Sequence, residues 1–296
     1  MICKVIFIIS LRILIEERYG MDKVKKLICV LMCVTLLLMT PSIAYAETGE
    51  DELVVLGDSI AAGYGIENPE DTYGYLVSSE RDYMLSNYAV SGDTTTDLLQ
   101  IIEKDEQVIS HLKTAETVVI SIGGNDFLHL GTESSMSELA EIISSGKDSK
   151  IIQNLLKTVK NNIRTIHESV RELNPDAKIV LQTVYNPFLG QTDKLTQLLN
   201  QLVELFRQDY TDIYKAEADT DNNMVIADIE KCFREYYEKT KNTSLIQNDF
   251  IHPSVKGHRM IADQVEIAMD DVHKAEWSTV EKSANALLRL AERMFK

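Results

Sequence analysis

The sequence predicts an α/β fold in which a doubly wound parallel sheet of five strands is covered by helices. Short apolar runs of strand length alternate with longer segments in which apolar residues recur every three or four positions. That alternation is typical of βαβ units. The chain has 296 residues and 45% apolar content, which is enough to bury a substantial core in one domain.

The five apolar runs are the predicted strands. They cover residues 52–57, 84–89, 117–122, 178–184 and 224–228. Amphipathic helices are predicted between them over residues 97–106, 151–173 and 194–216, because their apolar residues fall on one helical face. Residues 131–150 are polar and rich in serine, and we expect a loop or lid on the rim of the sheet.

The first 46 residues have the pattern of a leader with a secretory signal peptide. A basic segment begins at Met21, an apolar run of 13 residues follows over 27–39, and Ala44-Tyr45-Ala46 supplies small residues for cleavage. The alternative is a membrane anchor, but a bilayer span needs about 20 apolar residues. We therefore expect translation to start at Met21, cleavage after Ala46, and a secreted or extracytoplasmic protein.

The exported part is expected to form one domain over residues 47–275. Residues 276–296 follow as an amphipathic helix that packs on this domain, with a partner-binding face as the alternative. Cys232 is the one cysteine beyond the leader, so no intramolecular disulfide is available and the fold must depend on core burial. We expect it half-buried or buried on a helix.

The chain is strongly acidic. Its formal net charge is −16, and it becomes −19 when the leader is removed. Such a surface repels nucleic acid and anionic bilayers, so we expect neither nucleic-acid binding nor stable membrane insertion after cleavage. The sequence does not indicate the oligomeric state.

Polar residues follow the predicted strands, and reactive groups gather at this edge of a doubly wound sheet. Gly57-Asp58-Ser59 follows the first strand, and taken alone it is more typical of a turn than of a nucleophile. A serine hydroxyl needs a base to remove its proton, and His252 is the candidate. Asp249, three residues earlier, is placed to orient the imidazole if residues 249–253 form a tight turn before a helix.

An ester-cleaving serine also needs donors for an oxyanion. The backbone N–H groups of Ser59 and Gly92 and the side-chain amide of Asn125 are the candidates, since all follow strand ends. Each has an ordinary alternative as a turn or helix cap, and His252 has one as a loop histidine. Their joint occurrence, each at a strand end or just before a helix, favours the catalytic interpretation.

These four segments together resemble the GDSL esterase/lipase family, also called SGNH hydrolases. The resemblance spans about residues 52–260 and rests on Ser59 in GDSI, Gly92 in AVSGDTT, Asn125 in IGGND and His252 in DFIHP. Ile60 stands where the family name has leucine, an apolar exchange. The segment GDSIA also nearly matches the G-x-S-x-G elbow of α/β-hydrolases. In that fold several strands precede the nucleophile, whereas Ser59 follows the first predicted strand.

The resemblance implies a three-layer α/β/α, flavodoxin-like fold and serine esterase, lipase or thioesterase activity with no metal or cofactor. It implies Ser59 as nucleophile, His252 as base and Asp249 as its orienting acid. Ser59, Gly92 and Asn125 would form the oxyanion hole.

We therefore expect an exported esterase, lipase or lysophospholipase that forms a Ser-His-Asp acyl-enzyme on a small-molecule or lipid ester. The alternatives are a carbohydrate O-acetylesterase acting on polysaccharide and a non-catalytic surface binding module. Leu128, Leu130 and the helix over 195–206 are candidates for an acyl pocket, although apolar residues at these spacings are typical of core.

Overall fold

The computed structural model describes residues 51–133 and 136–270. Five parallel strands form one sheet in the order β2-β1-β3-β4-β5. They are β1 (Glu52–Gly57), β2 (Met84–Asn87), β3 (Thr117–Ser121), β4 (Lys178–Gln182) and β5 (Met224–Ala227). All five predicted strands are confirmed, and four of them end one or two residues earlier than predicted. The chain turns to opposite sides of β1 to form β2 and β3, so the crevice between β1 and β3 is the switch point where such sheets bind ligands.

Helices connect the strands. They are α1 (Ser59–Ala62), α2 (Tyr73–Arg81), α3 (Thr95–Lys104), α4 (Glu106–Leu112), α5 (Gly124–Glu133), α6 (Met136–Ser145), α7 (Lys150–Leu173), α8 (Lys194–Ala218), α9 (Ile229–Thr240) and α10 (residues 255–270). The predicted helices 151–173 and 194–216 correspond to α7 and α8 within two residues. Cys232 is half-buried on α9, as predicted.

Both faces of the sheet are covered, which makes the architecture three layers. Along β1, Val54 and Leu56 pack into a core with α3, α4, α7 and α8, while Leu53 and Val55 pack into a core with α2, α9 and α10. Alternate residues of a strand point to opposite faces. This explains why β1 reads as one continuous apolar run rather than as an alternating pattern.

The prediction of a loop over residues 131–150 was wrong. The segment contains the end of α5, the whole of α6 and a 3-10 turn, Gly146–Asp148. Leu139 and Ile142 of α6 are almost fully buried in the core, and their three-residue spacing places them on one face of a helix. The serines of this segment obscured a short amphipathic helix.

The leader over residues 1–46 and the helix over 276–296 lie outside the described residues, so both stay predictions. Within the described part of the chain, no helix combines the length and the apolar character that a bilayer crossing requires.

The end of β1 depends on a glycine. Gly57 has a φ of 149°, and a Cβ added there would lie 2.0 Å from the carbonyl oxygen of Ser121 on β3. We expect Gly57→Ala to lower the free energy of unfolding by roughly 3 kcal/mol or more, because the two strands would have to separate.

Urea denaturation measures this loss. Gly146→Ala is the control, because Gly146 also has a positive φ, 56°, but nothing lies within 4 Å of the added Cβ. Its expected cost is about 1 kcal/mol, the conformational penalty alone. Equal losses in the two variants would contradict the importance of the contact between β1 and β3.

Candidate active site

Ser59 is presented at the carboxyl edge of the sheet by a tight turn. The backbone N–H of Asp58 donates to the carbonyl of Ser121 at 3.1 Å, which fixes the turn against β3. The Asp58 carboxylate then caps α1 by accepting from the backbone N–H of Ile60 at 3.0 Å. Ser59 is consequently the first residue of α1, with a half-buried side chain.

Ser59, His252 and Asp249 form a continuous hydrogen-bonded chain. His252 Nε2 lies 2.9 Å from Ser59 Oγ, and His252 Nδ1 lies 2.6 Å from Asp249 Oδ2. A carboxylate only accepts, so Nδ1 carries the proton and Nε2 is left as an acceptor for the serine hydroxyl. The structure thus brings together two segments that are 193 positions apart in the sequence.

The turn that carries Asp249 and His252 is fixed by the Asp249 carboxylate itself. Oδ1 accepts from the backbone N–H groups of Ile251 and His252, each at 3.0 Å. Partial burial would raise the pKa of Asp249, but these hydrogen bonds and the contact with the His252 ring outweigh it and lower the pKa. The carboxylate therefore stays ionised and holds the imidazole in one orientation.

A second set of contacts joins this turn to the segment after α1. The Gln247 side-chain amide donates to the carbonyls of Tyr64 and Pro253, each at 2.8 Å. The Tyr64 ring lies against the His252 ring, with centroids 4.4 Å apart. These contacts hold His252 beside the serine, since Tyr64 also donates its backbone N–H to the carbonyl of Ser59.

Gly92 and Asn125 meet at the same edge. The loop after β2 is anchored to β1 by Val90 N–H, which donates to the Gly57 carbonyl at 2.9 Å. The Asn125 amide donates to the Asp93 carbonyl at 2.9 Å. Gly92 lies between these two anchors with a φ of 97°, and a Cβ added there would have nothing within 4 Å, so this backbone faces open space.

Two buried tyrosines of α8 hold the turn that precedes Asn125. Tyr214 donates its hydroxyl to the carbonyl of Ile122 at 2.8 Å, and Tyr210 donates to the carbonyl of Gly123 at 2.6 Å. This helix was predicted to pack on the sheet and to offer acyl-pocket residues, and neither prediction included these hydrogen bonds. The signal was present, because a tyrosine on a buried helix face must find a partner for its hydroxyl.

The buried carboxyl group of Asp58 was also missed as an electrostatic feature of the site. Its side chain is 2% exposed. Burial raises the pKa of Asp58 to about 7, and the negative charges of Asp126 and Asp93 add to this effect while the Ile60 N–H opposes it. A group that changes charge near neutral pH therefore lies directly before Ser59.

An apolar cleft opens beside the serine. It encloses about 560 Å³ of space, part of it open to solvent. Its lining includes Ile60 and Ile251, the sequence neighbours of Ser59 and His252, and walls from α5 and α8 through Phe127, Leu128, Val203 and Phe206. Arg207 is the charged residue of the lining. Three predicted acyl-pocket residues, Leu128, Val203 and Phe206, line the cleft, whereas Leu130 packs against the core.

The described residues contain no group of three or more His, Cys, Asp or Glu side chains arranged to hold a metal ion. The chemistry that this geometry offers comes from the Ser59, His252 and Asp249 side chains and the surrounding N–H groups.

The sequence model of the GDSL-like Lipase/Acylhydrolase family matches residues 53–265, a range that contains every residue of the site. The chain belongs to the GDSL-like lipase/acylhydrolase family. It is accordingly a GDSL-type carboxylic ester hydrolase. The fold and family that the four motifs predicted are confirmed.

Proteins similar to this GDSL hydrolase come from bacteria and from a metagenome. The uncharacterized protein YpmR of Bacillus subtilis (strain 168) is 27% identical over 228 residues, which cover 74% of this chain and 82% of YpmR. The lipase Lip_vut3 from a goat rumen metagenome has a TM-score of 0.55 at 19% identity, covering 74% of this chain and 97% of that one.

A third protein shares the fold. Phospholipase A1 from Streptomyces albidoflavus NA297 has a TM-score of 0.56 at 17% identity, covering 74% of this chain and all of that one. At these identities the two solved structures show a common architecture and carry no information on the substrate of this hydrolase.

The raised pKa of Asp58 makes the stability of the GDSL hydrolase depend on pH. The folded protein holds this proton up to about pH 7, whereas the ordinary carboxyl loses it near 3.8. Stability is therefore lost as pH rises through this interval, by about 1.4 kcal/mol per pH unit at most. In Asp58→Asn the side-chain oxygen can still accept from the Ile60 N–H, but the side chain does not titrate, so this dependence of stability on pH is absent.

We expect the free energy of unfolding of Asp58→Asn to rise relative to that of the wild type between pH 4.5 and 7.5, as measured by urea denaturation at several pH values. Asp219→Asn, which changes an exposed carboxylate, is the control and should show no such trend. A constant difference between Asp58→Asn and the wild type would mean that Asp58 is ionised throughout.

Proposed function

We propose that this protein is an exported GDSL hydrolase that cleaves the carboxylic esters of lipids or other acyl chains through a covalent intermediate on Ser59. The observation that carries the proposal is the hydrogen-bonded chain from Asp249 through His252 to Ser59, with contacts of 2.6 and 2.9 Å. Serine, imidazole and carboxylate in this arrangement supply nucleophile, base and orienting acid.

The proposed reaction begins at His252. Nε2 takes the proton of Ser59 as Oγ attacks the ester carbonyl carbon, and the tetrahedral intermediate collapses when the imidazolium returns that proton to the leaving alcohol. Water then repeats the sequence on the acyl-enzyme, releasing the carboxylic acid and free Ser59. The ionised Asp249 stabilises the imidazolium formed in each half of the reaction.

The oxyanion hole in this proposal consists of the backbone N–H groups of Ser59 and Gly92 and the Asn125 amide. One N–H of the Asn125 amide is taken by the Asp93 carbonyl, which fixes the orientation of the amide and leaves its second N–H for the oxyanion. Prepositioned donors of this kind are effective because they need no reorganisation during the reaction. The buried hydroxyls of Tyr210 and Tyr214 support this arrangement by fixing the turn before Asn125.

The apolar cleft supports a lipid or acyl ester over a sugar acetate. Its lining includes Ile60 and Ile251, which neighbour Ser59 and His252 in the sequence, and is almost entirely apolar. A longer acyl chain would bury more apolar surface against these residues than an acetyl group would. The carbohydrate O-acetylesterase therefore stands as the alternative.

Export is supported by the leader alone. The basic start at Met21, the short apolar run and the small residues before Glu47 are the features of a cleaved secretory signal. Cys232 is the one cysteine beyond the leader, so the exported form would fold without an intramolecular disulfide.

Loss of the serine hydroxyl tests the chemistry and the non-catalytic alternative together. We expect Ser59→Ala to lower kcat on p-nitrophenyl butyrate by about 10³-fold or more, because the nucleophile is removed. Ser144→Ala, which changes an exposed serine of α6, is the control and should keep full activity. A Ser59→Ala enzyme that retains the wild-type rate, or a wild type without activity on any ester, would contradict the mechanism.

Acyl-chain length tests the substrate class. We expect kcat/KM on p-nitrophenyl esters to rise from acetyl to octanoyl, by at most about fourfold per CH₂ group buried in the cleft. Val203→Phe narrows the cleft, so it should lower the octanoyl-to-acetyl ratio of kcat/KM. Faster hydrolysis of an acetylated oligosaccharide than of octanoyl esters or lysophospholipid would favour the O-acetylesterase.

A further inference from the structure

Arg207 is the charged residue in the lining of the apolar cleft. Two other side chains of the lining carry a polar atom, the hydroxyl groups of Tyr185 and Tyr210. These hydroxyls donate to the backbone carbonyls of Ile251 at 2.7 Å and of Gly123 at 2.6 Å, so both are satisfied within the protein. The hydrogen-bonding capacity left among the lining side chains is therefore that of the Arg207 guanidinium.

The contacts of Arg207 with its own protein are long. Nε lies 3.4 Å from Glu204 Oε2, and Nη1 lies 3.5 Å from Glu230 Oε1. Both exceed the ordinary N–H···O range of about 2.7–3.2 Å. A guanidinium carries five N–H donors, and those on Nη2 have no partner within the described part of the chain. Because the side chain is 27% exposed, these donors are accessible to a group that enters the cleft.

A second arginine makes the short contacts with the same two glutamates. Arg234 Nη2 lies 2.6 Å from Glu204 Oε1, and Arg234 Nε lies 2.7 Å from Glu230 Oε1. Both carboxylates are thus paired at ordinary distances without Arg207. The two arginines and the two glutamates balance in charge, so a ligand anion that contacts Arg207 does not meet uncompensated negative charge from this cluster.

The position of Arg207 along the cleft follows from the order of the strands. Among the lining residues, Ile60 follows β1, Gly124 follows β3 and Tyr185 follows β4, so the cleft extends along the carboxyl edge of the sheet. Glu230, which contacts Arg207, belongs to α9 after β5. In the sheet, β5 is three strand spacings from β1, about 14 Å at the ordinary spacing. The guanidinium is therefore separated from the proposed nucleophile by a stretch of apolar wall.

We propose that Arg207 is a specificity-determining residue that binds a carboxylate at the far end of the acyl chain of the substrate. The substrate class is then a half-ester of a dicarboxylic acid, with its ester carbonyl at Ser59 and its free carboxylate at Arg207. The planar guanidinium matches a carboxylate in geometry and charge, and the methylene groups between the two ends lie along the apolar wall. This inference rests on the proposed function and deepens it, because it names the group that the acyl chain carries.

The test uses pairs of p-nitrophenyl esters that differ in one charge. Each pair consists of the p-nitrophenyl half-ester of adipic, suberic or sebacic acid and its methyl ester, in which the distal carboxylate is neutralised. The ratio of kcat/KM for the acid to kcat/KM for the methyl ester is measured in the wild type, Arg207→Met and Arg207→Lys. Gln208→Met is the matched control, because it introduces the same side chain at the next position of α8, which is exposed.

We expect the wild type and Gln208→Met to prefer the suberic and sebacic half-esters over their methyl esters about tenfold, because a charge-assisted hydrogen bond forms with the acid alone. The preference should be smaller for the shorter adipic half-ester, whose carboxylate extends less far along the cleft. Arg207→Met should hydrolyse the two members of each pair with equal kcat/KM. Arg207→Lys keeps the charge without the planar fork and should retain part of the preference.

Equal kcat/KM for the two members of each pair in the wild type, a preference for the methyl esters, or a preference that survives in Arg207→Met would overturn this inference. Calorimetric binding to Ser59→Ala separates it from the proposed function, because binding does not require catalysis. Ser59→Ala should bind the suberic half-ester more tightly than its methyl ester, and the Ser59→Ala/Arg207→Met double variant should bind both alike. Such charge-dependent binding by a protein whose wild type hydrolyses no ester would refute the proposed function alone, and hydrolysis without a charge preference would refute this inference alone.

Discussion

The contact between the ends of β1 and β3 is the constraint on which the site depends. Gly57 allows β1 to approach the Ser121 carbonyl closely enough for Asp58 to hydrogen-bond to it. From that point the chain leaves β1 toward Ser59, and the chain beyond β3 reaches Asn125 within four residues. The Gly57 carbonyl in turn holds the loop that contains Gly92. Three segments that are distant in sequence are therefore positioned by one junction in the sheet.

Buried polar groups make this junction rigid, and their removal from water costs free energy. Asp58 and the hydroxyls of Tyr210 and Tyr214 lie in surroundings that disfavour charge or unpaired polar atoms. The tyrosines are satisfied by backbone carbonyls of the turn after β3, so their burial fixes that turn. Asp58 is satisfied in part by capping α1. Burial of the Asp58 carboxyl group is unfavourable, but its hydrogen bond to Ile60 fixes the residue at which α1 begins.

Much of this arrangement could be predicted from the sequence. The strands were visible because both faces of the sheet are buried, which leaves uninterrupted apolar runs such as 117–122. The candidate residues Ser59, Gly92 and Asn125 could be identified because the strand ends of a parallel sheet converge. Asp249 and His252 could be identified because a base and its orienting carboxylate lie three residues apart in a turn predicted before a helix. Their meeting at one edge in the structure agrees with that reasoning.

Other features could not be read in this way. The helix over 136–145 was not predicted because its exposed face is rich in serine, and because Leu139 and Ile142 are the deeply buried residues among those whose burial is described. The roles of Tyr210 and Tyr214 depend on which carbonyls their hydroxyls reach, and that is a property of tertiary packing. The raised pKa of Asp58 likewise depends on burial and on Asp93 and Asp126, which are distant in sequence.

The separation of Ser59 from His252 by 193 positions has a consequence for the time at which the site first exists. The serine is at the start of the domain and its proposed base is in the turn before α10, so almost the whole domain must be synthesised before the two can meet. A chain that is still emerging from the ribosome carries the Ser59 hydroxyl without the His252 imidazole. The proposed pair therefore cannot form until the last turn of the domain has been made.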